Sequence, residues 1–242
     1  MSTTSRPKVL IIQPGAFGDI IICAPIAKWY FDKGYEVIWP VQEKYFSHLE
    51  SIVSKYATPI LIEKECTGQG DWLKEASDFA REFAEPGMEI LELSDRNGPL
   101  KQKSGENFEQ FKYRLADVPF KVKHHLEFKL EPERWKSLAR DVGAYGDYSL
   151  VHLESSDGEV ANIPGDVRYR TVQVQECENY NIVDWYGIVR DAKEIFCVES
   201  SFHCFVDGII SELKVKPVII PRHGHPKYTI SEGWDLRLYE SN

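Results

Sequence analysis

The fold is decided by the stretch KVLIIQPGAFGDIIICAPIAKWYFDKGYEVIWPV, which runs from Lys8 to Val41. It opens on KVLIIQ, whose unbroken apolar run is typical of a strand that is covered on both faces. A glycine turn follows, and DIIICAPIAKWYFDKG then predicts a helix that begins at Asp19 and ends near Gly34. EVIWPV reads as a second strand. This order of elements predicts an α/β protein with a parallel sheet.

Strands and helices continue to alternate beyond this stretch. The first part of the chain also predicts strands at TPILIEK and MEILELS, with helices at QEKYFSHLESIVSKY, DWLKEASDFAREFAEPG and ENFEQFKYRLADVPF. The pattern restarts with helices PERWKSLARDVG, NIVDWYGIVRDAKE and SFHCFVDGIISEL and strands YSLVHLES, RYRTVQVQ, IFCVES and KPVIIPR. At 242 residues the chain is long enough for two such units. We therefore predict two tandem α/β domains built from βαβ units, residues 1–125 and 126–242.

Charge and cysteine content narrow the class of protein. The net charge of -9 argues against a large nucleic-acid or anionic-membrane footprint, which needs clustered Lys and Arg. The five cysteines are scattered without a CxxC pair, as is usual for reduced cysteines in a cytosolic core. No window approaches the roughly 18 apolar residues of a membrane span. We expect a cytoplasmic protein without integral membrane segments.

No set of metal ligands is evident in the sequence. His223 and His225 stand close together in RHGHPKY, but they lack partners at metal-ligand spacing. We therefore expect neither a bound metal nor a cofactor. Arg168, Arg170 and Arg222 can pair with phosphate groups, although surface salt bridges are the commoner role of such residues.

A second strand-to-helix turn carries polar residues in the stretch IFCVESSFHCFVDGI. The strand ends at Val198, and Glu199, Ser200, Ser201 and His203 precede or begin an apolar helix. Either serine can cap that helix, whose exposed N–H groups form an anion site. His203 in the first turn can reach the same anion. An ordinary serine cap with a partly buried histidine is the alternative.

Two further positions belong to the same edges of the predicted sheets. Ligands of open α/β sheets bind outside the carboxyl ends of the strands, and Asp19 follows such an end. A carboxylate there can act as a base toward a hydroxyl group, or it can cap the helix. His152 ends another strand and can bind a ligand at this edge, unless it belongs to an ordinary polar turn. On the helix before residue 120, Lys112 and Arg114 can contact a ligand or the other domain, although a solvated helix face is the preferred prediction.

The stretch from Asp184 to Ile209 resembles the C-terminal signature of heptosyltransferase-like glycosyltransferases. That signature reads D-W-x-x-L-I-x-x-A, then an apolar strand, then D-S-G-x-x-H. Here DW, Ile188 and Ala192 match, and ESSFH stands where D-S-G-x-x-H is expected. The same family begins with an apolar strand, GD and an apolar helix containing proline, and GDIIICAP matches that pattern. Together the two motifs cover about a quarter of the chain.

The resemblance implies a GT-B-like fold, in which two Rossmann-like domains face each other across a cleft. It implies that the C-terminal domain binds a nucleotide-diphosphate sugar and the N-terminal one a hydroxyl-bearing acceptor. The transfer is then metal-independent and inverting, with Asp19 as the catalytic base and Gly15 and Gly18 in the acceptor-side turn. The donor diphosphate is held by the residues of the second turn, with His152 beside them; these residues are Glu199, Ser200, Ser201 and His203.

The sequence also departs from the family pattern. Glu199 replaces Asp, Ser201 replaces Gly, and the family's donor-domain lysine has no clear counterpart. These departures favour an alternative, in which the chain is a non-catalytic nucleotide- or sugar-binding module that retains the fold. A nicotinamide-dependent oxidoreductase is a poorer match, because it needs G-x-G-x-x-G after the first strand and GAFGD supplies only two glycines.

Overall fold

A computed structural model of the chain describes residues 6–64, 66, 72–94, 103–155, 158, 160–162, 165–220 and 232–237. The chain divides into two compact units, Met1–Lys129 and Leu130–Asn242. Each unit contains its own sheet, and the paired strands in both sheets are parallel. The α/β class predicted from the alternation of strands and helices is therefore confirmed.

The first unit is built on a four-stranded sheet with the strand order β3-β2-β1-β4. Its elements in chain order are β1 (Lys8–Ile12), α1 (Phe17–Asp32), β2 (Glu36–Gln42), α2 (Glu43–Val53), β3 (Thr58–Ile62), α3 (Trp72–Arg81), β4 (Glu89–Glu92), α4 (Phe108–Leu115) and a 3-10 turn at Phe120–His124. Strand β1 pairs with β2 on one side and with β4 on the other. The direction in which strands are added therefore reverses beside β1.

The apolar run that opens the sequence is the centre of the first core. Residues 9–12 of β1 are fully buried, as expected for a central strand covered on both faces. One face of the sheet forms an apolar cluster that includes a residue of α3; its buried members are Leu10, Ile12, Ile38, Ile62 and Ala80. Because residues 9–12 are fully buried, β1 is held in one position, and so is the turn that leads from it into α1.

Helix α1 begins two residues before the predicted start at Asp19, and it continues through Pro25. A proline inside a helix lacks the N–H that would bond to the preceding turn, and its ring crowds that turn. The hydroxyl of Tyr113, in α4, donates a hydrogen bond of 3.0 Å to the carbonyl of Ile22 in this turn. Helix α4 therefore braces α1 close to the point where proline weakens it.

The second unit is built on a five-stranded sheet with the strand order β6-β5-β7-β8-β9. Its elements are α5 (Pro132–Asp141), β5 (Tyr148–His152), β6 (Arg170–Gln173), a 3-10 turn (Ile182–Trp185), α6 (Tyr186–Asp191), β7 (Glu194–Val198), α7 (Ser201–Gly208), a second 3-10 turn (Ile210–Glu212), β8 (Val218–Ile220) and β9 (Asp235–Leu236). Strands are added on one side of β5 and then on the other.

The core of the second unit lies against the three central strands. Its buried cluster consists of Val151, Leu153, Phe196, Val198, Val218 and Ile220. Two predictions differ from the structure here. The helix predicted from NIVDWYGIVRDAKE starts as a 3-10 turn and becomes α-helical only at Tyr186. Strand β9 is absent from the prediction, because two residues are too short for a periodic pattern.

Among the described residues, no helix combines the length and the apolar character that a membrane crossing requires.

Candidate functional site

Asp19 lies just beyond the carboxyl end of β1, in the first turn of α1, and its side chain is buried. The residue that caps this helix is Ala16, and Asp19 is the third helical residue. The alternative in which Asp19 is the N-cap is therefore wrong. The carboxylate lies instead near the positive end of the helix dipole, where a negative charge is favoured.

The backbone immediately before α1 is strained. Ala16 has φ 60° and ψ 92°, in a region that residues with a Cβ rarely adopt. Such conformations persist only where the surrounding structure enforces them, and they cluster at ligand-binding and catalytic turns. The turn that presents Asp19 is therefore held in place by its neighbours rather than by its own backbone preferences.

The cation that pairs with Asp19 is Lys112, which is also buried. Its Nζ lies 3.8 Å from Asp19 Oδ2, and only 1% of its side chain is exposed. The ammonium donates hydrogen bonds to Gln13 Oε1 at 2.5 Å and to the carbonyl oxygen of Leu93. Both acceptors follow the ends of neighbouring strands, β1 and β4. The solvated face predicted for Lys112 is therefore wrong: the side chain enters the edge of the sheet.

The neighbourhood of this pair is screened from water. Cys23, one turn beyond Asp19, is fully buried, and burial raises the pKa of its thiol to about 12. Lys112 lowers this pKa and Asp19 raises it, so the thiol senses both charges. A second ion pair is buried beside α4, where Lys123 Nζ lies 2.5 Å from Glu109 Oε2. Helix α4 thus contributes two buried charges to this unit.

The predicted acceptor-side turn contains Gly15 and Gly18. A Cβ atom at Gly15 would lie 2.6 Å from the indole of Trp72 and 3.0 Å from the ring of Tyr45. Close packing of these rings on the backbone explains the glycine. Gly18 is the second residue of α1 and is partly exposed. A role of the two glycines in admitting an acceptor stays a prediction.

A pocket of about 400 Å³ opens at the carboxyl ends of β2 and β3, a size that suits a small ligand. It is lined by Gln42, Glu43, Lys44, Ile62, Glu63, Lys64, Cys66 and Trp72. The ammonium of Lys44 lies 4.9 Å from the ring centroid of Trp72 and 4.7 Å from that of Tyr45. Because Trp72 also packs on Gly15, the pocket borders the turn that leads to Asp19. No sequence pattern predicts this pocket, because its lining residues come from separate elements.

In the second unit, the polar residues after β7 form the start of α7. Ser200 is the N-cap, and its Oγ accepts a hydrogen bond from the backbone N–H of His203 at 3.3 Å. Glu199 is fully buried, whereas Ser201 is partly exposed as the first helical residue. The imidazole of His203 is fully buried, and its edge meets the ring of Trp234 at a centroid distance of 4.8 Å. Contact of these residues with a diphosphate stays a prediction.

His152 ends β5 beside this turn, as the sequence predicts for a residue of the same edge. Its Nδ1 lies 3.2 Å from Ser200 Oγ, and its ring stacks on Phe202. Phe202 in turn contacts the ring of Trp185. Burial lowers the pKa of His152 to about 4, so the imidazole is neutral near pH 7. It can exchange hydrogen bonds with a ligand there but contributes no positive charge.

Both groups of residues lie at the switch point of their sheet, where the order of strands reverses. In the first unit this point lies between β1 and β4, and Gln13 and Leu93 follow these strands. In the second unit it lies between β5 and β7, where the side chains of His152 and Ser200 meet. Open α/β sheets bind ligands at this position. Each unit therefore places its candidate residues where its topology favours a ligand.

The DW part of the second motif has a structural role. The guanidinium of Arg134 in α5 forms a bidentate pair with the buried carboxylate of Asp184, with N···O distances of 2.9 and 2.7 Å. The same carboxylate accepts a hydrogen bond from the backbone N–H of Asn181. Ile188 and Ala192, the other matching positions, are buried in the core. This half of the motif therefore holds α5 and α6 together.

The arginines considered as phosphate ligands are engaged in other contacts. Arg168 pairs with Glu194 at 2.6 Å, and Arg170 donates to the carbonyl oxygens of Gly143 and Tyr145. Arg222, His223 and His225 lie outside the described residues. Over the part of the chain that is described, no three His, Cys, Asp or Glu side chains cluster as metal ligands would.

No protein-family model matches the sequence, and no curated protein matches it either. Among solved structures, the chain is similar to the crystal structure of the glycosyl transferase family 9 from Veillonella parvula DSM 2008. The TM-score is 0.56 at 8% sequence identity, and the match covers 100% of this chain and 89% of that chain. At this identity the likeness concerns the fold alone. The chain therefore shares an α/β fold with a glycosyl transferase family 9 structure, whereas the cleft between two domains and membership of the heptosyltransferase-like family stay predictions.

Proposed function

We propose that the protein is a glycosyltransferase that moves a sugar from a nucleotide-diphosphate sugar to a hydroxyl acceptor, with inversion at the anomeric carbon. The observation that carries this proposal is the buried carboxylate of Asp19, which lies at the switch point of the first sheet with the Lys112 ammonium 3.8 Å away. The fold shared with a glycosyl transferase family 9 structure also supports this function.

On the acceptor side, Asp19 takes the proton of the attacking hydroxyl group. Glycosyl transfer passes through an oxocarbenium-like transition state, so the hydroxyl oxygen must become more nucleophilic as it approaches the anomeric carbon. A carboxylate within hydrogen-bond reach supplies this general base. As the new C–O bond forms, the bond to the diphosphate breaks on the opposite face of the sugar. The proton ends on Asp19, and the nucleoside diphosphate departs.

On the donor side, the start of α7 binds the departing diphosphate. Its first N–H groups and the helix dipole stabilise negative charge, and Ser200 and Ser201 add hydroxyl donors. His152 is neutral and adds a hydrogen bond rather than a charge. The ring of His203 is buried and its backbone N–H donates to Ser200 Oγ, so this residue contributes by fixing the serine at the start of α7. We propose that these groups act without a metal ion, so that transfer continues in the presence of a chelator.

A panel of nucleotide sugars tests the donor class. The protein is mixed in turn with different nucleotide-diphosphate sugars and with the free nucleoside diphosphates, and its thermal midpoint is measured. A ligand that binds the native state raises the midpoint by mass action. We expect one nucleotide family to stabilise the protein. Stabilisation by none of them would contradict the proposal.

Substitution of Asp19 by asparagine tests the catalytic role. With the donor identified by the panel, Asp19→Asn is expected to lower kcat by about 100- to 10,000-fold, the contribution of a general base. Donor affinity, measured by calorimetry, is expected to be unchanged. The matched control is Asp32→Asn on the same helix, which removes an exposed carboxylate paired with Lys28. This control should retain full turnover.

Two other outcomes would contradict the proposed enzymatic activity or the proposed role of Asp19. If the unmodified protein binds a nucleotide sugar but transfers it to no acceptor or water, the alternative of a non-catalytic binding module is favoured. If Asp19→Asn turns over as fast as the control, the base is another residue.

A further inference from the structure

Lys112 is an unusual residue to find inside a protein. A lysine ammonium is costly to remove from water unless hydrogen bonds and charges compensate for the loss. Here the side chain is 1% exposed, and α4 inserts it into the edge of the first sheet. A methionine or leucine would fill this volume without that cost. The position therefore uses the charge itself.

The ammonium is held independently of Asp19. Its two hydrogen-bond acceptors, Gln13 Oε1 and the Leu93 carbonyl, are neutral and follow two different strands. Gln13 is fixed in turn, because its Nε2 donates to the carbonyl of Gly15 at 2.7 Å. The ring of Phe108 lies 4.6 Å from the ammonium. These contacts fix the position of the cation.

The distance between the Lys112 ammonium and the Asp19 carboxylate shows which kind of contact they make. At 3.8 Å, Lys112 Nζ and Asp19 Oδ2 are too far apart for a direct hydrogen bond but close enough for a strong charge interaction at a buried site. The carboxylate is therefore attracted to the lysine without being locked onto it. The titratable groups that face Asp19 include Lys112 from α4 and Cys23 from α1, whose thiol is neutral.

We propose that Lys112 is a positioning residue, whose fixed ammonium orients the Asp19 carboxylate for proton transfer. This inference rests on the proposed role of Asp19 as the base. Lys112 acts through Asp19 and does not touch the substrate. It accordingly affects the rate of transfer and its pH dependence, and it leaves donor binding unaffected.

The test compares Lys112→Met with the matched control Lys123→Met. Both variants remove a buried ammonium from an ion pair, but Lys123 pairs with Glu109. Lys112→Met is expected to lower kcat by about 100-fold, the effect of a small displacement of a reacting group. The acid limb of its pH–rate profile is expected to move to higher pH, because an opposite charge beside the carboxylate is lost. Lys123→Met should leave this profile unchanged.

Lys112→Arg keeps the experiment informative if the methionine variant does not fold. The guanidinium retains the charge but cannot occupy the same position, so kcat should fall while the acid limb stays in place. An acid limb that moves as far in Lys112→Arg as in Lys112→Met would overturn the proposal. So would a Lys112→Met profile identical to that of the control.

A measurement without turnover separates this inference from the proposed function. The Asp19 carboxyl carbon is labelled with ¹³C, assigned with Asp19→Asn, and titrated by NMR in the unmodified protein and in Lys112→Met. We expect the midpoint to rise in the variant. If it rises but no transfer is ever detected, the coupling of the two residues stands and the proposed function fails. An unchanged midpoint contradicts the coupling, whatever the activity.

Discussion

At the scale of single residues, His152 is the group whose ionisation the fold changes most clearly near the second switch point. Burial lowers the pKa of its imidazole to about 4, against an ordinary value of 6.5. Below pH 6.5 the unfolded chain binds a proton at this histidine, whereas the folded protein does so only near pH 4. Folding is therefore disfavoured as the pH falls through this window.

Replacement of His152 by asparagine should remove this acid sensitivity. Between pH 7 and pH 4.5 the unmodified protein is expected to lose about 2–3 kcal/mol more of its free energy of unfolding than His152→Asn does. The asparagine side chain can still meet Ser200 but does not titrate. Urea unfolding at the two pH values measures the difference. Equal losses in the two proteins would show that the histidine is not neutral in the folded state.

Individual site residues differ in how far the sequence could predict them. Asp19 and Ser200 each follow an apolar strand through a short local turn, so their place at a sheet edge could be predicted from the pattern alone. The burial of Lys112 could not. Its partner Gln13 lies 99 residues away, and the helix that carries Lys112 has the alternation of charge expected of a solvated face. Its place depends on how α4 packs against β1 and β4.

At the scale of elements, the contact between α5 and α6 depends on two complementary features. A Cβ atom at Gly187 would lie 2.3 Å from the indole of Trp135, so the helices approach where the glycine leaves room. Beside this contact, Arg134 forms its bidentate pair with Asp184, whose side chain is 4% exposed. An arginine fork matches a carboxylate at two atoms and fixes the angle between the elements.

Loss of this pair should destabilise the second unit. Arg134→Met leaves the buried Asp184 carboxylate without its guanidinium, and we expect the free energy of unfolding to fall by about 2–4 kcal/mol, since Arg134 is partly exposed and solvent recovers part of the loss. Lys136→Met is the control on the same helix, because it breaks an exposed pair with Glu133. This control should change stability by less than about 0.5 kcal/mol. If Arg134→Met lowers the free energy of unfolding as little as the control does, packing alone holds α5 against α6.

Elements with long apolar runs were the ones that the sequence predicted well. Strands β1 and β2 and helix α1 follow from their apolar runs and from the turn residues that end them, although Pro25 lies deep inside α1, where Tyr113 stabilises the turn before it. The 3-10 turn before α6 and the two-residue strand β9 could not be predicted in the same way. Their conformations depend on single hydrogen bonds and on the neighbouring strand rather than on a repeating pattern.

At the scale of the whole molecule, each of the two units has its own sheet and its own apolar cluster. Leu10 belongs to the first cluster and Val198 to the second. Leu10→Ala is expected to cost about 2–5 kcal/mol by leaving a cavity, and this loss should be confined to the first unit. Hydrogen exchange followed by mass spectrometry should show faster exchange in β1 and β2 and unchanged exchange in β7.

The reciprocal variant Val198→Ala should accelerate exchange in β7 and leave β1 unchanged. If either substitution accelerates exchange equally in both units, the chain unfolds as one cooperative body and its stability cannot be divided between the two sheets.

The strand order β3-β2-β1-β4 also determines when the first site can form during synthesis. Strand β1 leaves the ribosome well before its second neighbour β4 and the lysine beside Asp19 are made. Gln13 and Lys112 are 99 residues apart, which at about 5–20 residues per second means a delay of roughly 5–20 seconds. Throughout this interval one edge of an apolar strand and the Asp19 carboxylate lack the groups that cover them in the finished protein. A nascent chain of this protein is therefore most in need of chaperone protection before residue 112 has emerged.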